Sequence, residues 1–108
     1  MKKEIATSTT FDITGKKISK ILGVVRGNTV RARNIGRDIG AAMKNIVGGE
    51  IKTYTDMVKD ARDEAFNRMV NDAIRIGADA VVGIRFTTSM IMQGASEMLA
   101  YGTAVKLK

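Results

Sequence analysis

Between Thr53 and Gly77 the apolar residues Val58, Ala61, Ala65, Phe66, Met69, Val70, Ala73 and Ile76 recur at spacings of three and four. That rhythm sets them on one stripe of a long helix, and it constrains the fold more than any other feature of the chain. Thr53 followed by Asp56 resembles a capping box at the helix start, and Gly77 marks its end. A helix with a single apolar stripe must bury it against another layer. The flanking segments indicate what that layer is. Upstream, "ISKILGVVRGNTVRAR" (18–33) is rich in β-branched residues, and "RGN" in its middle suggests a bulge or bend. It follows a short first strand across a turn at "ITGKK" (13–17). Downstream, "ADAVVGIRFTTSMIM" and "EMLAYGTAVKLK" read as two further strands.

Between the long upstream strand and the long helix lies a shorter helix, with Asn34 as N-cap and Ile35, Ile39, Ala42, Met43 and Ile46 at helical spacing. Gly48-Gly49 stops it. Gly36 and Gly40, four residues apart, could let another backbone approach closely. The expected architecture is therefore α+β. An antiparallel sheet from the N- and C-terminal strands packs with a short and a long helix, in one domain spanning 1–108.

Parity sets an expectation for the last two strands. Val82, Ile84, Phe86, Thr88, Met90 and Met92 alternate onto one face of the first, and Leu99, Tyr101, Thr103, Val105 and Leu107 onto one face of the second. A loop with an even number of residues across "QGAS" would superpose the two apolar faces, opposing Met90 to Leu99 and Ile84 to Val105. Met90 and Met92 then belong to the core, and Met98 lies on the reverse face. A copper(I) site built from these three thioethers is not expected, because the register separates them. That reverse face carries Met98, Ala100, Gly102 and Ala104. It is flat and made of small residues, and with Gly36 and Gly40 it is the expected contact between subunits.

Composition narrows the chemistry. The chain has no Cys and no His, which excludes disulfides, the usual zinc and iron–sulfur sites, and catalysis by either residue within one chain. Lys, Glu and Tyr101 could do acid–base work, but nothing singles them out, so a non-catalytic protein is expected. The N-terminus "MKKEIATSTTF" lacks the apolar run of a signal peptide, and no stretch is long enough for a membrane span; a cytoplasmic protein without a membrane partner is expected.

The net charge of +7 lies wholly in the first half: ten basic and three acidic residues precede Glu50, and eight of each follow from it onward. Arg26, Arg31, Arg33 and Arg37 could follow a phosphate backbone, so binding of nucleic acid or another polyanion is the alternative reading. No interleaved aromatic residue or known motif supports it, and the same segment matches neither phosphate-loop pattern. Among hard-ion donors, Asp56 and Asp60 occupy successive turns of the long helix. Glu50 follows the glycine pair where free backbone amides could hold a carboxylate. Interleaved cations, with Lys59–Asp63 and Glu64–Arg68 as i,i+4 pairs, favour a solvated face instead.

Three stretches carry a resemblance: the G-G-E-x-x-x-Y-T junction at 48–55, A-R-D-E-A at 61–65, and G-A-D-A-V-V-G-I at 77–84. With "TSTTFDITGKKISKILGVVRGNTVRARNIGRDI" and "AYGTAVKL" they make the chain resemble, over essentially its whole length, the YbjQ-like family of small bacterial and archaeal proteins. That family is labelled heavy-metal-binding and is otherwise uncharacterised. The resemblance implies a small α+β fold related to the dodecin-like group and closed rings of identical subunits, most often pentamers. The metal label carries over weakly: where some members have acidic residues after G-A-D-A-V-V-G, this chain has Arg85, Phe86, Thr87 and Thr88. The expectation is a ring-forming binding or scaffold protein that holds a metal ion or small ligand, of unknown identity, between subunits.

Overall fold

The computed structural model describes residues 4–32 and 52–108. Four strands and a long helix are described, in the order β1 (Ala6–Thr7), β2 (Ile18–Ala32), α1 (Lys52–Arg75), β3 (Ala80–Met92) and β4 (Ala95–Leu107). They form one sheet of strand order β1-β3-β4-β2, with α1 across one face. The α+β class is as expected, but the sheet is mixed: β1 runs parallel to β3, and the longer strands pair antiparallel. The expected short helix, with Gly36 and Gly40, lies outside the described residues.

Helix α1 follows its sequence pattern. Ala61, Ala65, Met69 and Ala73 are fully or nearly buried, one per turn, while Ile76 falls past the helix end and is exposed. The stop is a Schellman motif. Gly77 N–H donates to the Ile74 carbonyl and Ala78 N–H to that of Ala73, both at 3.0 Å, with Gly77 at φ +87°. At the other end, Thr53 lies inside the helix rather than at its cap, because Lys52 is already helical.

The helix stands close to the sheet because the residues beneath it are small. A Cβ on Gly27 of β2 would lie 2.3 Å from both the Ala65 carbonyl oxygen and the Met69 nitrogen, so no other residue fits without moving the helix. The bend expected at "RGN" is therefore not what Gly27 provides. Pairing of β2 with β4 runs unbroken there, and its irregularities lie between Ile18 and Lys20 and between Ile21 and Gly23.

The hairpin of β3 and β4 departs most from expectation. Its loop is two residues, Gln93 and Gly94, with Met92 opposite Ala95. The register then shifts between Met90 and Met92, and again between Val82 and Arg85. At the second shift Gly83 takes φ +63°, and Gly83 and Ile84 together oppose Gly102. Each shift reverses which face a side chain takes. Val82 and Val105 share the face away from the helix, as parity required, whereas Ile84 joins the core beneath it. Phe86 lies opposite Ala100 and stacks on Phe66 of the helix, ring centroids 6.4 Å apart.

Two corrections follow. Met90 and Met92 are not core: they are 75% and 64% exposed. Met98, Ala100, Gly102 and Ala104 do not form an outer contact face, since they are buried under the chain's own helix. Met98 lies opposite Thr88, whose hydroxyl donates to its sulfur at 3.1 Å.

Candidate functional site

The face of the sheet away from α1 is covered in part. Ile13 from the segment after β1 packs with Ala80, Val82 and Val105. That segment also follows the outer edge of β3, with Ser8 N–H donating to the Val81 carbonyl and Gly83 N–H to that of Thr10. It covers the β3 edge as far as Ile84, whose N–H reaches the Ser8 carbonyl at 3.1 Å. From Arg85 to Met92 the edge of β3 has no strand partner among the described residues, and neither does the outer edge of β2.

Beyond Ile13 the face is open among the described residues. Tyr101 on β4 lies opposite Arg26 on β2 and opposite Arg85 on β3, so the three side chains form one row across the sheet. All three are exposed. Arg85 is held at one end: its guanidinium donates to the Thr9 carbonyl at 3.0 Å and sits 5.6 Å from the centre of the exposed Phe11 ring. The next row is Asn28, Leu99 and Thr87, and the one after it Val30, Glu97 and Ser89. Asn28 donates to Glu97 at 3.1 Å.

On the helix side, near the hairpin tip, a mostly apolar cavity of about 210 Å³ is lined by Thr29, Val58, Ala61, Thr88, Ser96 and Met98, among others. Two of its polar groups are bonded to the helix. The buried Thr29 hydroxyl donates to the Ala61 carbonyl at 3.2 Å, and Arg31 at the rim pairs with Glu64.

These positions sort the residues named from sequence. Arg26 and Arg31 point to opposite faces of β2: Arg26 is on the open face, and Arg31 is on the helix side, bound to Glu64. Arg33, Arg37 and Glu50 lie outside the described residues. Asp56 and Asp60 are exposed on α1, and the described residues hold no group of three His, Cys, Asp or Glu able to hold a metal ion. Both helical ion pairs form, Lys59–Asp63 at 3.0 Å and Arg68–Glu64 at 2.5 Å. The Asp63 carboxylate, through its hydrogen bond and its charge, holds the Lys59 ammonium above its ordinary range. No helix among the described residues is long and apolar enough to cross a membrane.

Comparison with known proteins identifies the fold's lineage. The family described as "Putative heavy-metal-binding" (YbjQ_1) matches residues 5–108. The chain belongs to this family. A UPF0145 protein of Archaeoglobus fulgidus is 59% identical over 108 residues, all of both chains. Another, from Colwellia psychrerythraea, is 63% identical over 101 residues, covering 94% of this chain and 96% of that one. A crystal structure from Pediococcus pentosaceus, titled as a DUF74-family protein with unknown function, superposes with a TM-score of 0.63 at 18% identity. It covers 96% of this chain and 98% of that one, and it shows a shared fold.

The family's metal-binding description finds few donors in this member. Without Cys or His, its soft donors are thioethers, and Met90, Met92 and Met98 do not converge: two are exposed and the third is buried under the helix. The described residues of one chain do not fit a closed metal site. The Arg85–Tyr101–Arg26 row was missed from sequence. Its members were visible, but three strands had to be brought into register before an aromatic residue stood between two arginines.

Proposed function

We propose that the protein is a non-catalytic, ring-forming homo-oligomer that serves as a binding or scaffold unit, with its ligand held between subunits. One observation carries this reading: the two strand edges without a partner among the described residues, β2 and the distal part of β3, lie on opposite sides of one sheet. A long unpaired edge presents a row of free N–H and C=O groups and is a template for another chain. Opposite edges joined head to tail make a heterologous contact, which closes into a ring when the rotation allows. Five copies is the number that the family resemblance implies.

The exposed apolar residues on distal β3 support the same reading. Phe86, Met90, Ile91 and Met92 are all more than 45% exposed and lie along the free edge. On this reading a metal ion or small ligand takes donors from two copies.

Native mass spectrometry of the untagged protein, purified without chelator, tests this. A single species at an integer multiple of the chain mass is expected, any retained ligand appearing as added mass. Ile91→Lys, which places a charge on the free edge, should shift that species toward monomer. A wild-type monomer across micromolar concentrations would overturn the reading.

A further inference from the structure

We propose that the open sheet face binds single-stranded nucleic acid, with Tyr101 stacking a base and Arg26 and Arg85 contacting the phosphates on either side. The register fixes the arrangement, since Tyr101 is the Cα partner of both arginines. Directly opposed residues share a face, so Tyr101 stands between two arginines carried on strands about 9.5 Å apart. Aromatic rings that stack bases, flanked by cations that follow the backbone, are how sheet surfaces hold single strands without reading sequence.

Charge and shape favour that ligand. The open face of β2, β3 and β4 carries one carboxylate among the described residues, Glu97, which lies two rows from Tyr101 and accepts a hydrogen bond from Asn28. Arg26 forms no salt bridge among the described residues, and Arg85 spends its hydrogen bonds on backbone carbonyls, those of Thr9 and Ile84, rather than on an acid. Neither positive charge is therefore paired with a carboxylate among the described residues. Phe11, 72% exposed beneath Arg85, adds a second aromatic ring at one end of the row. Among the described residues the face is open, which suits an extended polymer better than an enclosed small molecule. A duplex hides the faces of its bases, so the central ring has a role only with a single strand. The proposal does not depend on ring closure, since strand edges can pair while the faces stay open.

The test is fluorescence anisotropy of the full chain with a labelled 20-nucleotide oligo-dT, titrated at several salt concentrations. Saturable binding is expected, with log affinity falling against log salt at a slope of at least about −1.4, the sum for two phosphate contacts on a single strand. Tyr101→Leu should weaken binding about tenfold. Arg26→Gln and Arg85→Gln should each flatten the slope by about 0.7. An oligo-dA·dT duplex should bind at least tenfold more weakly than the strand. Circular dichroism and native mass should be unchanged in Tyr101→Leu and Arg26→Gln, whose side chains lie outside the core. If Arg85→Gln loosens the Thr9 segment, the other two variants decide. Absence of binding at low salt overturns the proposal. So does equal affinity for duplex, or affinity unchanged in Tyr101→Leu and Arg26→Gln together. Competition by thymidine monophosphate at the same concentration as the strand would also overturn it.

Discussion

The two faces of β4 invert the usual association of size with burial. Toward the helix it presents Met98, Ala100, Gly102 and Ala104, all buried and mostly small. Away from the helix it presents Leu99, Tyr101, Thr103 and Val105, of which only Val105 is fully buried. The same contrast runs through β2, where Gly27 lies under the helix and Val24 and Val30 are 72% and 55% exposed. Small residues win the covered face because α1 sits so low that its backbone meets the sheet. Close packing, rather than the area of each side chain, decides which face is inner.

The strongest way to break this contrast is Gly27→Ala. Its Cβ would strike helix backbone, which cannot rotate away, so the loss should exceed the ~1–3 kcal/mol typical of overpacking, read as a lower denaturation midpoint. Ala65→Leu enlarges the same seam from the helix side, at a residue of 0% exposure. It should cost about 1–3 kcal/mol by the same measurement. On the other face Tyr101→Leu should change stability by less than about 0.5 kcal/mol, because Tyr101 is exposed and belongs to neither core cluster among the described residues. An equal loss at Tyr101 and Ala65 would show that the two faces are energetically alike. The smallest effect belongs to the helix exterior. Lys59→Met removes a solvent-exposed ion pair and should leave the melting temperature nearly unchanged. The raised Lys59 pKa has the matching sign: the pair's contribution is present at neutral pH and fades only as pH rises through the elevated lysine value.

Helix α1 was legible because everything that defines it is local. The 3.6-residue stripe, the closing Gly77 and the two i,i+4 ion pairs all follow from residues within a few positions of one another. The strands were legible for a similar reason, from β-branched composition and the turn at Gly15, which takes φ +78°. The facing of the hairpin was not. Parity correctly grouped Leu99, Tyr101, Thr103, Val105 and Leu107 but carried Ile84, Phe86 and Met90 to the wrong side, because it assumed an unbroken alternation. Gly83, an isolated glycine within a strand pattern, was the available sign of a bulge.

The candidate site divides in the same way. Its chemistry without Cys or His, its excess of positive charge and its family motifs were fixed by the residues themselves. Which arginines work together was not, because Arg26 is five residues from Arg31 but faces the other way, and 59 residues from Arg85 yet shares its row. Periodicity and charge are properties of neighbours along the chain. Register, bulges and the height of a helix above a sheet arise only when distant segments pack, and those alone placed Tyr101 between two arginines.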